Sequence, residues 1–237
     1  MKHILIVLFT FVYLQSSAQD STREPMMVHT IGRLPYLEYG LGDDRLGGAK
    51  MTYLDSGVVM LVVDSADGDY RVQLSKNHSA YISKENVKPV PEKRPRPYYL
   101  TSNWRVFGND TTGFDYVTIN LDERLPYRSI QQINPSRIAI DIFGATSNSY
   151  WISQFNSVKE IKNSWYEQIE DDVMRVFIEL KHSQHWGYNI SYDSVFPRLI
   201  IKVKRQPLVL TLSKLKIAID AGHGGTNTGA SGKSSGI

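Results

Sequence analysis

The residue with the clearest chemical setting is His223, which lies between glycines near the end of the sequence. An apolar alternation at Leu215, Ile217 and Ile219 runs directly into this segment and predicts a strand that feeds a tight loop. Ligands of open α/β sheets gather outside the carboxyl ends of strands, and glycines let the backbone approach a metal closely. His223 is therefore a candidate metal ligand.

One histidine does not make a catalytic metal centre, because catalytic zinc takes three protein ligands and keeps one position for water. Asp220 is a candidate to orient the loop or a ligand from outside the coordination shell, and a cap of the strand-terminal loop is an equal alternative. His182 and His185 have the spacing of ligands on one helix face, but the surrounding alternation predicts strand. No metal site is expected at those two histidines.

The string Ile219-Asp-Ala-Gly-His-Gly-Gly225, followed by Gly229-Ala230, resembles the opening of the zinc-dependent N-acetylmuramoyl-L-alanine amidase catalytic domain. The resemblance implies a hydrolase that cleaves the amide between N-acetylmuramic acid and L-alanine of the peptidoglycan stem peptide. It also implies that His223 is the first zinc ligand, followed in the family by a glutamate, a later histidine and a catalytic glutamate. Residues 226–237 contain none of these, so the sequence is expected to be cut inside the domain and inactive alone.

Two functions from different classes follow from this ending. Residues 213–237 are interpreted as the N-terminal fragment of an amidase catalytic domain, beginning with its first strand. The alternative is a non-catalytic peptidoglycan-binding protein with a vestigial amidase tail. The coding sequence after Ile237 discriminates between them, since only the enzyme needs a further glutamate and histidine.

The first eighteen residues predict export. Lys2 and His3 precede the apolar run 4–14, and Ser16, Ser17 and Ala18 supply small residues before Gln19. This pattern is typical of a cleaved signal peptide, and the apolar run is shorter than the ~20 residues that a membrane-spanning helix needs. The chain is expected in the bacterial periplasm or cell envelope, with no membrane span after cleavage.

Composition excludes several other classes of protein. The formal net charge of +3 is too weak to indicate a nucleic-acid partner, and the absence of cysteine excludes a disulfide framework. Much of the positive charge lies in the Pro-rich stretch 88–97, of which residues 91–97 are assigned as a basic linker. Its prolines favour an extended spacer over a packed element.

Residues 27–90 are predicted to form a small β-barrel. The β-branched run 58–63, the Asp67-Gly68 turn and the alternation of Tyr70, Val72 and Leu74 are strand and hairpin signals. The stretches 46–57, 69–74 and 80–87 resemble a bacterial Src-homology-3-like domain, and the resemblance implies a peptidoglycan-targeting role. Tyr53, Tyr70 and Tyr81 are candidates for an aromatic groove, with barrel core as the alternative.

Residues 98–206 are predicted to form an antiparallel β-sandwich, since four segments alternate apolar and polar residues. The phrases 114–121, 137–143 and 175–180 resemble the amidase N-terminal accessory domain, which implies localisation by contact with peptidoglycan. The tryptophans of this unit are candidates for stacking on sugar rings, but burial in the sandwich core is the favoured prediction. These tryptophans are Trp151, Trp165 and Trp186. The predicted fold is mainly β throughout.

Overall fold

The computed structural model describes residues 26–42, 46–91, 95–219 and 222, and the predicted signal segment lies outside them. The predicted mainly β fold is confirmed, since the regular structure consists of strands and two short 3-10 helices, Lys84–Asn86 and Leu212–Lys214. No helix in the described ranges is long and apolar enough to cross a membrane.

The first unit has seven strands. They are β1 Met26–Thr30, β2 Tyr36–Glu38, β3 Lys50–Tyr53, β4 Val59–Ala66, β5 Asp69–Ser75, β6 His78–Ser83 and β7 Val87–Pro89. Together they form one antiparallel sheet that curls into a half-barrel, with strand order β3-β2-β6-β5-β4-β1-β7. Asp67, at a φ of 40°, forms the predicted turn between β4 and β5. Val72 and Leu74 are buried on the inner face, as their alternation predicts.

The second unit contains a four-stranded and a six-stranded sheet. The strands are β8 Tyr99–Asn109, β9 Phe114–Leu121, β10 Tyr127–Gln132, β11 Arg137–Phe143, β12 Ala145–Thr146, β13 Ile152–Gln154, β14 Ile161–Glu170, β15 Val173–Leu180, β16 Tyr188–Tyr192 and β17 Arg198–Lys204. The four-stranded sheet has the order β10-β11-β15-β14, and the larger one the order β12-β8-β9-β17-β16, with β13 also paired to β8.

The core of the second unit follows from the period-2 alternation of its strands. Successive side chains of a strand point to opposite faces, so every second residue can be buried. The buried positions that were predicted from this alternation are confirmed. They include Val117, Ile119, Ile138, Ile140, Ile142, Met174, Val176, Ile178, Leu199, Ile201 and Val203. The antiparallel arrangement is also confirmed, with the exception of the short strands β12 and β13, which run parallel to β8.

The two units pack directly against each other. The Lys76 amide donates to Asp172 Oδ2 at 2.6 Å, and the Tyr192 amide donates to Asp55 Oδ2 at 2.5 Å. The rings of His78 and Phe143 lie 5.2 Å apart. Buried apolar residues of both units belong to one hydrophobic cluster, so the contact between the units is stabilised by apolar burial. Residues 92–94 of the predicted linker lie outside the described residues.

The segment after β17 differs from its prediction. Ile217 and Ile219, which were predicted to lie in a strand, are largely exposed and belong to no strand. A strand is stabilised by hydrogen bonds to a neighbour, and none of the described strands lies beside this segment.

Candidate functional site

A positively charged surface covers the outer side of the six-stranded sheet. Alternation turns Val106, Val117 and Ile201 into the core, so the residues between them on β8, β9 and β17 face outward. We call this surface the basic face. It consists of Arg105, Phe107, Tyr116, Arg198, Lys202 and Lys204.

The register of the strands brings these distant residues together. Phe107 is paired with Tyr116, and Tyr116 is paired with Lys202. The rings of Phe107 and Tyr116 stack with centroids 5.2 Å apart and planes inclined by 8°. The stacked pair is a flat aromatic platform with a lysine beside it.

The cations of the basic face are not neutralised by the protein. In the described part of the chain, the ion pairs use none of Arg105, Arg198, Lys202 and Lys204. Arg198 Nε donates to Asn120 Oδ1 at 2.8 Å, and the Arg105 guanidinium lies 5.0 Å from the Phe155 ring centroid. The face therefore presents four positive charges to an anionic ligand.

The outer side of the four-stranded sheet is different, because most of its cations are paired. Asp141 is buried between Arg128 and Arg175, with Nε–O distances of 2.9 and 2.5 Å. Burial by itself works toward a higher pKa of Asp141, but the hydrogen bonds from the two arginines outweigh it and hold the pKa below its ordinary value. Arg128, Lys162 and Arg175 are thus paired. Among the described residues of this sheet, only Arg137 has no ion pair, so the basic face, with four such cations, is the stronger candidate for ligand binding.

Exposed aromatic residues border the basic face. Tyr150 and Trp151 have 89% and 67% of their surfaces exposed. The loop that carries them is held by Ser149, whose hydroxyl donates to the Ser102 carbonyl at 2.6 Å, and by Tyr166, whose hydroxyl donates to the Ser149 carbonyl at 2.9 Å. Trp151 is thus an exposed ring on an anchored loop.

Trp151 and Arg105 line a cavity of about 360 Å³. Trp104 also lines it, although its ring is buried between the two sheets, 5.9 Å from the Tyr166 ring centroid. The remaining polar lining comes from Asn103, Asn120 and Arg198. The cavity combines an aromatic surface with donors for hydroxyl and carboxylate oxygens.

The prediction that the tryptophans lie in the core is wrong for Trp151. The segment 147–151 is not a strand with a buried face, so nothing turns this ring inward. Trp165 is half-buried, stacks on Phe177 with a centroid separation of 5.1 Å, and lies on the opposite sheet. Trp186 is half-buried as well.

The three tyrosines of the first unit do not form one groove. Tyr70 is paired with Ile82 on the inner side of the sheet. Tyr81 directly precedes Ile82 in β6 and therefore faces outward. Tyr53 is exposed and lies beside Tyr36 and Lys50. The hydrogen bond from Lys50 Nζ to the Tyr53 hydroxyl raises the pKa of Lys50.

The predicted zinc ligand His223 and its candidate neighbour Asp220 lie outside the described residues. Within the described ranges, no three histidine, aspartate or glutamate side chains come together as metal ligands. His182 contacts a carboxylate that is distant in the sequence, since its Nδ1 lies 2.8 Å from Glu160 Oε2. That pair contributes only two of the three ligands of a zinc site.

Comparison with known families identifies the second unit. Residues 106–212 match the family model of the AMIN domain, and the match runs from within β8 past the end of β17. Comparison with curated proteins finds no match. The predicted amidase N-terminal accessory domain is thereby confirmed, although the predicted bounds of 98–206 differ from those of the match.

The chain therefore contains an AMIN domain, a domain typical of the N-terminal regions of amidases. Such domains belong to proteins associated with the cell envelope and imply a peptidoglycan-associated role. The basic face and the Trp151 cavity lie within this domain or at its border.

Proposed function

We propose that this chain is the wall-targeting part of a secreted, zinc-dependent N-acetylmuramoyl-L-alanine amidase, and that the basic face holds peptidoglycan. The observation that carries the proposal is the position of exposed Trp151 beside Arg105 and Arg198, which form no ion pair in the described part of the chain. Peptidoglycan offers matching chemistry, because its sugars have apolar faces and its stem peptides carry carboxylates. Aromatic rings pack against such faces, and guanidinium groups bind carboxylates with two parallel hydrogen bonds.

The first unit is proposed as a second targeting module, of the bacterial Src-homology-3-like type. Its curled antiparallel sheet supports this assignment, together with the exposed cluster of Tyr36, Tyr53 and Lys50. Because the two units are in direct contact, one wall polymer could bind to both without a flexible spacer between them.

We expect Trp151→Ala to weaken binding to purified sacculi by about tenfold, since an exposed aromatic anchor supplies a large share of contact energy. The measurement is a sacculus co-sedimentation titration with the 237-residue chain. Tyr98→Ala is the control, because Tyr98 is also exposed but lies off the basic face. Equal retention of the Trp151→Ala variant and the unsubstituted protein would contradict the proposed site.

The catalytic part of the proposal rests on the sequence 219–225 and on the AMIN domain that precedes it. Zinc would supply the polarisation of the scissile carbonyl, and His223 is the residue of this chain proposed to bind it. Residues 208–212 would connect the targeting unit to the catalytic domain.

We expect the 237-residue chain to bind no stoichiometric zinc and to release no stem peptide from sacculi, because one histidine cannot hold a catalytic metal. A chain extended along its reading frame is expected to gain both properties. Elemental analysis and chromatography of the released peptides check this. One-to-one zinc in the 237-residue chain, or an extension without a further glutamate and histidine, would favour the non-catalytic wall-binding protein instead.

A further inference from the structure

A second cavity, of about 600 Å³, lies at the end of β17, where the AMIN domain meets the segment that leads toward 213–237. Its volume falls in the range of about 300–1,000 Å³ that small-molecule sites have. Ionisable residues form most of its polar lining. They are Asp110, Lys159, Glu160, His182, Lys204 and Arg205.

Most of these charges are matched by one another. Arg205 Nε donates to the buried Asp115 at 2.7 Å, and Arg205 Nη1 donates to Asp110 at 2.5 Å. Lys159 Nζ lies 2.9 Å from the same Asp110. Two cations and two carboxylates therefore form a neutral network at one side of the cavity.

Glu160 is left with an unused oxygen. Its side chain is buried, with 2% exposed, and Oε2 accepts from the Gln206 amide at 3.0 Å and contacts His182 Nδ1. No donor among the described residues reaches Oε1, which is also buried. A buried carboxylate oxygen without a donor is costly, so the site favours a ligand that brings an N–H group, above all a charged one.

Lys204 supplies the opposite charge. It lines the same cavity, and its Nζ lies over the Phe114 ring, 5.9 Å from the centroid, without an ion pair in the described part of the chain. An unpaired carboxylate oxygen and an unpaired ammonium group in one cavity match a ligand that carries both charges.

We propose that this cavity binds an α-amino carboxylate group, with the ligand ammonium at Glu160 and the ligand carboxylate at Lys204. The inference deepens the proposed wall-binding function, since the free end of a diamino dicarboxylic acid in a stem peptide carries this group. The basic face would then hold the polymer, while the cavity would recognise an uncrosslinked stem.

The test uses three probes in isothermal titration calorimetry with the 237-residue chain. These are meso-2,6-diaminopimelate, pimelate, which lacks the ammonium groups, and 1,5-diaminopentane, which lacks the carboxylates. We expect diaminopimelate to bind with a Kd of about 1 mM or tighter, and the other two at least about tenfold more weakly. Absence of diaminopimelate binding, or equal binding of either other probe, would overturn the proposal.

Two variants assign the binding to the cavity. Lys204→Gln and Glu160→Gln are each expected to weaken diaminopimelate binding about tenfold, and Lys204→Arg to restore most of it. Lys181→Gln is the matched control, because Lys181 is an exposed lysine next to His182 that lies outside the basic face and does not line the cavity. Should Glu160→Gln fail to fold, Lys204→Gln decides alone. An equal loss in Lys204→Gln and Lys181→Gln would show general attraction to positive charge and refute the cavity site.

Sacculus binding is measured on the same variants. If diaminopimelate fails to bind while sacculi are retained through Trp151, the cavity proposal fails and the proposed function stands. If diaminopimelate binds and Trp151→Ala has no effect on sacculi, the basic face is refuted and the cavity stands.

Discussion

Asp115→Ala is expected to destabilise the protein by about 3–5 kcal/mol, the range for removing one partner of a buried ion pair. Asp115 is fully buried, and its Oδ2 accepts the amides of Lys159, Glu160 and Ile161 at 2.9, 2.6 and 2.9 Å. Its Oδ1 accepts from Arg205. Alanine leaves three amides and a largely buried guanidinium without this acceptor, and each unsatisfied group adds a desolvation cost.

Urea unfolding followed by circular dichroism measures this loss as a lower transition midpoint with an unchanged slope. Asp110→Ala is the control, because Asp110 also pairs with Arg205 but is 71% exposed. An exposed pair contributes little, so the control is expected to lose only a small fraction of what Asp115→Ala loses. Similar losses in the two variants would mean that burial does not decide the role of Asp115.

The combined variant Arg105→Gln, Arg198→Gln, Lys202→Gln is expected to lose sacculus binding by about 100-fold, since each charge-assisted hydrogen bond contributes about 1 kcal/mol or more. Glutamine keeps much of each side chain's length and removes its charge. All three residues project from the outer face of the sheet, so the fold should be retained. The affinity of the unsubstituted protein should also fall as salt is raised, because mobile ions screen exposed charges.

The control is the combined variant Arg33→Gln, Arg71→Gln, Lys88→Gln, which removes the same charge from exposed positions of the first unit. We expect it to lose far less binding than the basic-face variant. Equal losses would show that net charge alone, and not the arrangement on the AMIN domain, holds the wall polymer.

The strands that carry the site could be predicted from local pattern. In β9 and β17 every second residue is apolar and buried, so alternation identified both strands and their inner faces. The Asp67-Gly68 turn could also be predicted from the sequence, because such a turn needs a residue that tolerates positive φ. These features depend on neighbours along the chain.

The candidate site could not be predicted in the same way. Arg105 and Lys202 are far apart in the sequence, and only the pairing of β8 with β9 and of β9 with β17 places them on one face. The burial of Glu160 beside His182 likewise depends on the loops that precede β14 and follow β15. Trp151 shows the same limit, because no periodicity in its loop distinguishes an exposed ring from a buried one.

The sequence by itself determined that this protein is mainly β, that its residues 98–206 have the character of an amidase accessory domain, and that His223 lies in a glycine-rich motif. Period-2 alternation and short motifs carry that information because they are local. Only the tertiary structure decided which charges remain unpaired, which aromatic residue is exposed, and that the two units touch across the Pro-rich stretch. Those outcomes depend on strand register and on burial between segments distant in sequence, which local alternation does not specify.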